Sequence, residues 1–243
     1  MTETSPRLRA RIAGLLYLGT MVTGIFDLVA RSGLIVRGDA AATAAHIMGA
    51  EPLYRTAVAA EFLGGAFYVG VTAMLYGLLR PVSRSGSLAA AFFGLAGCAT
   101  GAAGMTWLLG PPMLLSGAPY LAVFRPDQLQ ALALTALRFH TQAYNLCMIF
   151  FGIYCALLGV LVFRSAFFPR ALGVLLVLAG AGWLTDSLSY LLWPAFSSQI
   201  QPYIMAPGFI GEAALCVWLL VVGVDGPKWT RASAVSGLEG AAA

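Results

Sequence analysis

The sequence predicts an all-α membrane protein, a bundle of six transmembrane helices, and two observations lead to this class. Hydrophobic residues make up 60% of the 243-residue chain and charged residues only 10%, too few polar side chains to cover an apolar fold in water. The apolar residues also form stretches of about 20 or more, long enough to cross a bilayer. Six stretches meet this requirement: Ile12–Val36, Pro52–Leu79, Leu88–Leu115, Leu129–Phe163, Ala171–Trp193 and Tyr203–Val224.

These stretches leave little chain for anything else, so residues 1–228 are predicted to form a single six-helix transmembrane domain. Residues 229–243 are expected to be a disordered cytoplasmic tail, because the end of the chain is rich in Ala, Gly and Ser without periodicity. The basic residues before the first stretch resemble the start of a signal peptide. The apolar residues nevertheless continue to Val36 without an A-x-A cleavage site, which favours an uncleaved first helix.

The orientation is predicted from Lys and Arg, which accumulate in short cytoplasmic loops. One side of the six-helix arrangement carries nine of them: Arg7, Arg9, Arg11, Arg80, Arg84, Arg164, Arg170, Lys228 and Arg231. The opposite side has Arg37 and Arg125 in its loops, with Arg31 and Arg55 near helix ends. Both termini are therefore predicted to be cytoplasmic, in the cell membrane. The net charge of +4 then indicates anionic lipid as a partner rather than nucleic acid.

The first and fifth stretches share a pattern that suggests an internal repeat. Asp27 follows Arg11 by the same step of sixteen residues that separates Asp186 from Arg170, and the stretch after each carries a glutamate. This spacing favours a parallel repeat in which helices one and two match helices five and six. Coincidence is the alternative, because a basic residue before an apolar stretch is common at cytoplasmic helix ends.

Four carboxylic acids lie inside the apolar stretches, where an acid is costly enough to mark a functional site. They are Asp27, Glu61, Asp186 and Glu212. Because burial favours the neutral form of an acid, we predict that these four exchange protons or bind a cation. The structural alternative for Asp27 is an ion pair with Arg31 four residues later. For the two glutamates it is a partner such as Arg138, or protonation.

The fourth stretch supplies polar groups at a similar predicted depth. Arg138, Gln142 and Asn145 share one helix face, and His140 and Tyr144 lie on a neighbouring stripe. We expect these five side chains to line a solute-binding cavity that opens to the outside. The structural alternative for His140 is a histidine satisfied by local hydrogen bonds near the interface.

Two local patterns predict details of the outer side. Asp39 is placed to cap a short helix over Ala40–Gly49 in the first outer loop. The sequence Gly110-Pro111-Pro112 is expected to break the third transmembrane helix near its outer end. Both patterns have structural rather than catalytic consequences.

No cofactor or metal site is predicted. His46 and His140 are the only histidines, which excludes a haem held by two helix histidines, and neither H-E-x-x-H nor G-x-S-x-G is present. The cysteines lie inside the spans without C-x-x-C spacing and are expected to be buried free thiols: Cys98, Cys147, Cys155 and Cys216. This inventory argues against an enzyme, although carboxylates alone could still bind a hard cation.

Several segments resemble a known family. Residues 38–47 (GDAAATAAHI), 51–55 (EPLYR) and 168–175 (FPRALGVL) are similar to the signatures of a bacterial multi-pass membrane family known only as a domain of unknown function, family 4386. The resemblance implies an integral protein of the bacterial inner membrane with no established activity. Tyr154 stands where many relatives have histidine, so a metal site that uses this position is not expected here.

Three functions are compatible with these observations. The first is a proton- or cation-coupled transporter or binding protein for a small solute, in which the intramembrane acids couple and the polar residues of the fourth helix bind solute. The second is a membrane-embedded hydrolase or metal enzyme that uses the carboxylates with His140. The third is an accessory or sensor subunit in which the acids are structural. The substrate and the oligomeric state cannot be predicted from these patterns.

Overall fold

The computed structural model describes residues 5–241, which form nine α-helices and no β-strand. Their bounds are α1 Pro6–Ser32, α2 Ala40–Gly49, α3 Glu51–Leu79, α4 Arg84–Met105, α5 Gly110–Leu114, α6 Pro126–Arg164, α7 Arg170–Leu192, α8 Pro194–Val221 and α9 Gly226–Ala241. Six segments are long and apolar enough to cross a membrane: α1, α3, α4 together with α5, α6, α7, and Tyr203–Val221 of α8. The predicted all-α class with six spans is confirmed.

The described residues divide into two compact units, each considered by itself. The α2/α5 unit comprises Gly19–Ala66 and Ala99–Tyr144. The α7/α8 unit comprises residues 5–18, Phe67–Cys98 and residues 145–241.

In the α2/α5 unit, helix α2 begins as its sequence predicts. Asp39 precedes the helix and accepts a hydrogen bond from the backbone N–H of Ala42 at 2.8 Å, which satisfies one of the free N–H groups of the first turn. Gly38 has a φ of +79°, a conformation that glycine adopts without steric cost. The predicted cap and the bounds of this helix are confirmed.

The core of the α2/α5 unit lies around Tyr54 on α3. Tyr54 is fully buried and packs with Leu34, Ile47 and Val58. Its hydroxyl donates a hydrogen bond to the backbone oxygen of Leu108 at 2.8 Å. Leu108 belongs to a 3-10 turn over Thr106–Leu109 that separates α4 from α5, so the predicted break occurs just before the prolines, which occupy the first turn of α5.

In the α7/α8 unit, glycines bring helices α6 and α7 into close contact. A Cβ atom built on Gly159 would lie 2.6 Å from the backbone nitrogen of Val177, and one built on Gly173 would lie 2.6 Å from that of Phe163. Because no side chain fits at these distances, the two helix backbones approach as small-residue interfaces in membrane proteins do.

At the end of the chain, the structure differs from the predicted disordered tail, because the described residues there form a helix. Residues 229–241 belong to helix α9, and Trp229 Nε1 donates a hydrogen bond to the backbone oxygen of Leu78 at 2.9 Å. Asp225 precedes the helix and accepts a hydrogen bond from the backbone N–H of Lys228. This bond, together with the Lys228 ammonium group, lowers the pKa of Asp225. Composition alone missed the tryptophan anchor; residues 242–243 lie outside the described part.

Candidate functional site

Helices α1, α3 and α6 bring four polar side chains together in the α2/α5 unit, and Arg31 lies at their centre. Arg31 Nε donates a hydrogen bond to Asp27 Oδ1 at 2.6 Å, and Arg31 Nη2 donates another to Asp27 Oδ2. Arg31 Nη2 also donates to Glu61 Oε2 at 2.7 Å. One guanidinium therefore binds two carboxylates, one of them through the bidentate geometry that suits arginine.

His140 completes this group. Its Nε2 lies 2.9 Å from Glu61 Oε1, and its Nδ1 lies 3.4 Å from Arg31 Nη1. A neutral imidazole with its proton on Nε2 satisfies both contacts, since Nε2 then donates to the carboxylate and Nδ1 accepts from the guanidinium. We call Asp27, Arg31, Glu61 and His140 the four-residue cluster.

The four-residue cluster is mostly shielded from solvent. The exposed side-chain fractions are 7% for Asp27, 15% for Arg31, 12% for Glu61 and 10% for His140. The Asp27–Arg31 ion pair agrees with the structural alternative that the sequence analysis gave for Asp27. Glu61 pairs with Arg31 and His140 rather than with the expected Arg138, because α1 and α6 both meet α3 at this level.

Glu212 has a different environment, in the α7/α8 unit. It accepts hydrogen bonds from Tyr17 Oη to Oε2 and from Trp183 Nε1 to Oε1, each at 2.8 Å. The thiol of Cys155 lies 3.7 Å from Oε1. The predicted partner Arg138 is instead an exposed side chain, and the three hydrogen bonds to Glu212 come from neutral donors on α1, α6 and α7.

Asp186 is buried, with 5% of its surface exposed. Its Oδ1 and the hydroxyl of the adjacent Ser187 have no hydrogen-bond partner among the described residues. Asp27, the predicted repeat equivalent of Asp186, is bound by Arg31. The two aspartates thus have different partners, and the parallel repeat stays a prediction.

The polar residues of α6 do not share one environment. His140 and Asn145 are buried, whereas Arg138, Gln142 and Tyr144 are exposed on the surface of the chain. His140 belongs to the α2/α5 unit and Asn145 to the α7/α8 unit. Among the predicted solute-binding residues, His140 contacts an intramembrane acid, Glu61.

Sequence reasoning missed Tyr17, Trp183 and Cys155 as partners of Glu212. Each lies within an apolar stretch, where an aromatic or thiol side chain normally indicates core packing. One general rule could have pointed to two of them: a buried indole N–H or phenol O–H usually has a hydrogen-bond partner. The sequence does not show which acid lies within reach of these donors, because that depends on how the helices pack.

The described residues include acids, histidines and cysteines that could in principle hold a metal ion or act as thiols. Residues 5–241 contain no group of three or more His, Cys, Asp or Glu side chains placed to hold a metal ion. The four cysteines are free thiols, and three of them are buried. The four-residue cluster, Glu212 and Asp186 place carboxylates within the apolar helices and are candidates for proton exchange.

The all-α fold, with six helices able to cross a bilayer, defines a multi-pass membrane protein. Residues 12–223 match the family model described as Domain of unknown function (DUF4386), and the chain belongs to this family. An uncharacterized protein from Archaeoglobus fulgidus is 31% identical over 155 residues, which cover 64% of this chain and 76% of the relative. No solved structure matches the chain.

Proposed function

We propose that this protein binds a small solute and moves it across the membrane in a process coupled to proton binding, with the four-residue cluster as the proton-exchanging site. The observation that carries the proposal is the shared guanidinium: Arg31 binds the carboxylates of both Asp27 and Glu61. With a neutral His140, two carboxylates and one guanidinium leave one net negative charge away from water. Such a charge is costly inside a membrane protein, and one proton removes it.

The arrangement favours a proton over a metal cation. Both oxygens of Asp27 face Arg31, while the oxygens of Glu61 face Arg31 and His140. A hard cation requires six or more oxygen ligands with room around them, whereas a proton needs only one lone pair. His140 Nε2 also contacts Glu61 Oε1, so the carboxylate has a ring nitrogen beside it that can donate a hydrogen bond.

Glu212 is proposed as a second exchange site. Its hydrogen bonds from Tyr17 to Oε2 and from Trp183 to Oε1 suit a carboxylate. A protonated acid can keep the Trp183 bond through its carbonyl oxygen, while its hydroxyl donates to the Tyr17 oxygen, which accepts as well as donates. A solute that changes the packing of α8 against α1 and α7 would change the balance between the two forms. Asp186, Arg138, Gln142, Tyr144 and Asn145 remain proposed coupling or solute-binding residues.

The proposed function predicts that solute binding changes the number of bound protons. Purified protein in weakly buffered detergent solution, with a pH-sensitive dye, is titrated with a panel of small solutes. Binding of the active solute should change the number of bound protons by about one per protein molecule, and an anionic solute should cause uptake because its charge favours protonation of nearby acids. Glu61→Gln should abolish the change, because the amide keeps the shape of the acid but cannot titrate.

Glu51→Gln is the matched control, since Glu51 lies on the same helix in an exposed pair with Arg55 and should show the same change in bound protons as the wild type. His140→Gln supplies a second test if Glu61→Gln fails to elute as a single species in size-exclusion chromatography. An undiminished change in bound protons in whichever of the two variants folds would contradict the assignment of the cluster.

The orientation proposed for the cell membrane, with both termini cytoplasmic, makes a separate prediction. It is supported by the nine basic residues that fall on one side of the six spans. Reporter fusions after Arg84, Arg164 and Lys228 should report the cytoplasm, and fusions after Gly38 and Ser198 the outside. A fusion after Arg164 that reports the outside would be incompatible with this orientation.

A further inference from the structure

A cavity of about 630 Å³ lies in the α2/α5 unit, between α3, the 3-10 turn, α5 and the loop that follows. Val58 and Phe62 of α3 form one wall, and Leu108 and Met113 belong to the opposite side. A volume of a few hundred Å³ with mainly apolar walls is typical of sites for small organic molecules. The cavity therefore has the size and surface to hold the body of an apolar or amphipathic compound.

The lining of this cavity includes a basic side chain. Arg55 is the charged side chain among its described lining residues; it is 62% exposed, and its Nε donates to Glu51 Oε1 at 2.7 Å. Glu51 itself does not line the cavity. The guanidinium has five N–H donors in all, so it can bind a second carboxylate. Tyr120, exposed in the loop after α5, lines the cavity as well.

The cavity and the four-residue cluster share helix α3. Fully buried Tyr54 lines the cavity, and Val58 and Phe62, three residues before and one residue after Glu61 on α3, also line it. A solute in this cavity would therefore contact the helix that carries Glu61.

We infer that the cavity binds an amphipathic organic anion, a monocarboxylate whose apolar body lies against Val58, Phe62 and Leu108 and whose carboxylate pairs with Arg55. The inference rests on the proposed function, because it names the class of solute that the proton-exchanging site would serve. The positive lining charge selects an anion over a neutral or cationic compound with the same alkyl chain.

The experiment uses the full chain in lipid nanodiscs and measures binding of radiolabelled decanoate by scintillation proximity. Competitors are unlabelled decanoate, decanol and decyltrimethylammonium, which share one alkyl chain and differ in the head group. Decanoate should compete about fivefold more strongly than decanol, and decyltrimethylammonium the least. Arg55→Gln should abolish this preference, whereas Arg125→Gln, which removes an exposed arginine outside the cavity, should retain it.

A second pair of variants tests whether decanoate binds in this cavity. Ala59→Trp fills the cavity and should weaken decanoate binding at least tenfold, whereas Leu53→Trp adds the same side chain on the opposite face of α3 and should not. Equal competition by decanol and decanoate in the wild type would mean that bilayer lipid or any apolar compound fills the cavity, and would overturn the inference. Unaltered binding in Ala59→Trp would do the same.

The two proposals fail differently. If decanoate binds at Arg55 but does not change the number of bound protons, the site is right and the coupled function is wrong. If another solute changes proton binding through Glu61 while decanoate neither binds nor competes, the coupled function stands and this inference is wrong.

Discussion

Arg31→Met should lower the free energy of unfolding by about 3–5 kcal/mol, because it leaves two carboxylates inside the protein without their counter-charge. Asp27 and Glu61 have 7% and 12% of their side chains exposed, and Arg31 binds both. Methionine has a similar length and no charge, so loss of packing is a minor part of the effect. Equilibrium unfolding of purified protein in detergent micelles measures the change.

The control for this substitution is Arg125→Met. Arg125 pairs with Asp127 on the surface, with 72% and 66% of the two side chains exposed, and such pairs contribute about 0–1 kcal/mol. A variant that also replaces Asp27 and Glu61 by leucine should regain much of the stability lost in Arg31→Met, since an apolar set can replace a buried ion pair. Equal stability of Arg31→Met and Arg125→Met would contradict the charge balance assigned to the cluster.

Glu212→Leu should lower the free energy of unfolding by about 2–5 kcal/mol, because two buried donors lose their acceptor. Tyr17 and Trp183 are 2% and 4% exposed, and both bind Glu212 at 2.8 Å. Glu212→Gln should change stability by about 1 kcal/mol or less. Its amide oxygen accepts from Trp183, and its amide N–H can donate to the Tyr17 oxygen, since a hydroxyl accepts as well as donates.

The pair of Glu212 variants separates coupling from structure. Both are compared by thermal unfolding and by the solute-induced change in bound protons described above. Under the proposed function Glu212→Gln folds normally and loses part of the pH dependence of solute binding. A Gln variant that unfolds like the Leu variant would mean that Glu212 acts as a structural anion, and an unchanged pH profile would remove it from the exchange pathway.

The sequence anticipated one of the three partners of Arg31. The spacing of four residues between Asp27 and Arg31 places them one turn apart on a helix, and this local geometry is independent of the rest of the fold. Glu61 and His140 come from positions 30 and 109 residues away from Arg31. No local pattern specifies which face of α3 or α6 turns towards α1.

Glu212 illustrates the same limit. Its depth in an apolar stretch marks it as unusual, but the sequence suggested a charged partner such as Arg138. Tyr17 and Trp183, which lie 195 and 29 residues away in the sequence, instead donate hydrogen bonds to the Glu212 carboxylate. The helix packing of the α7/α8 unit brings these neutral donors to it.

The sequence by itself determined that this is an all-α membrane protein with six spans, where α2 begins, and which acids lie in apolar helices. These properties depend on composition, length and neighbours within one helical turn, and the cost of burying polar groups in lipid leaves few other solutions. Only the tertiary structure decided that Arg31 binds two acids, that Glu212 is held by neutral donors, and that Trp229 anchors α9. Helix rotation and tilt follow from the combined packing of many side chains, including contacts between the backbones of glycines on different helices, and no segment encodes them alone.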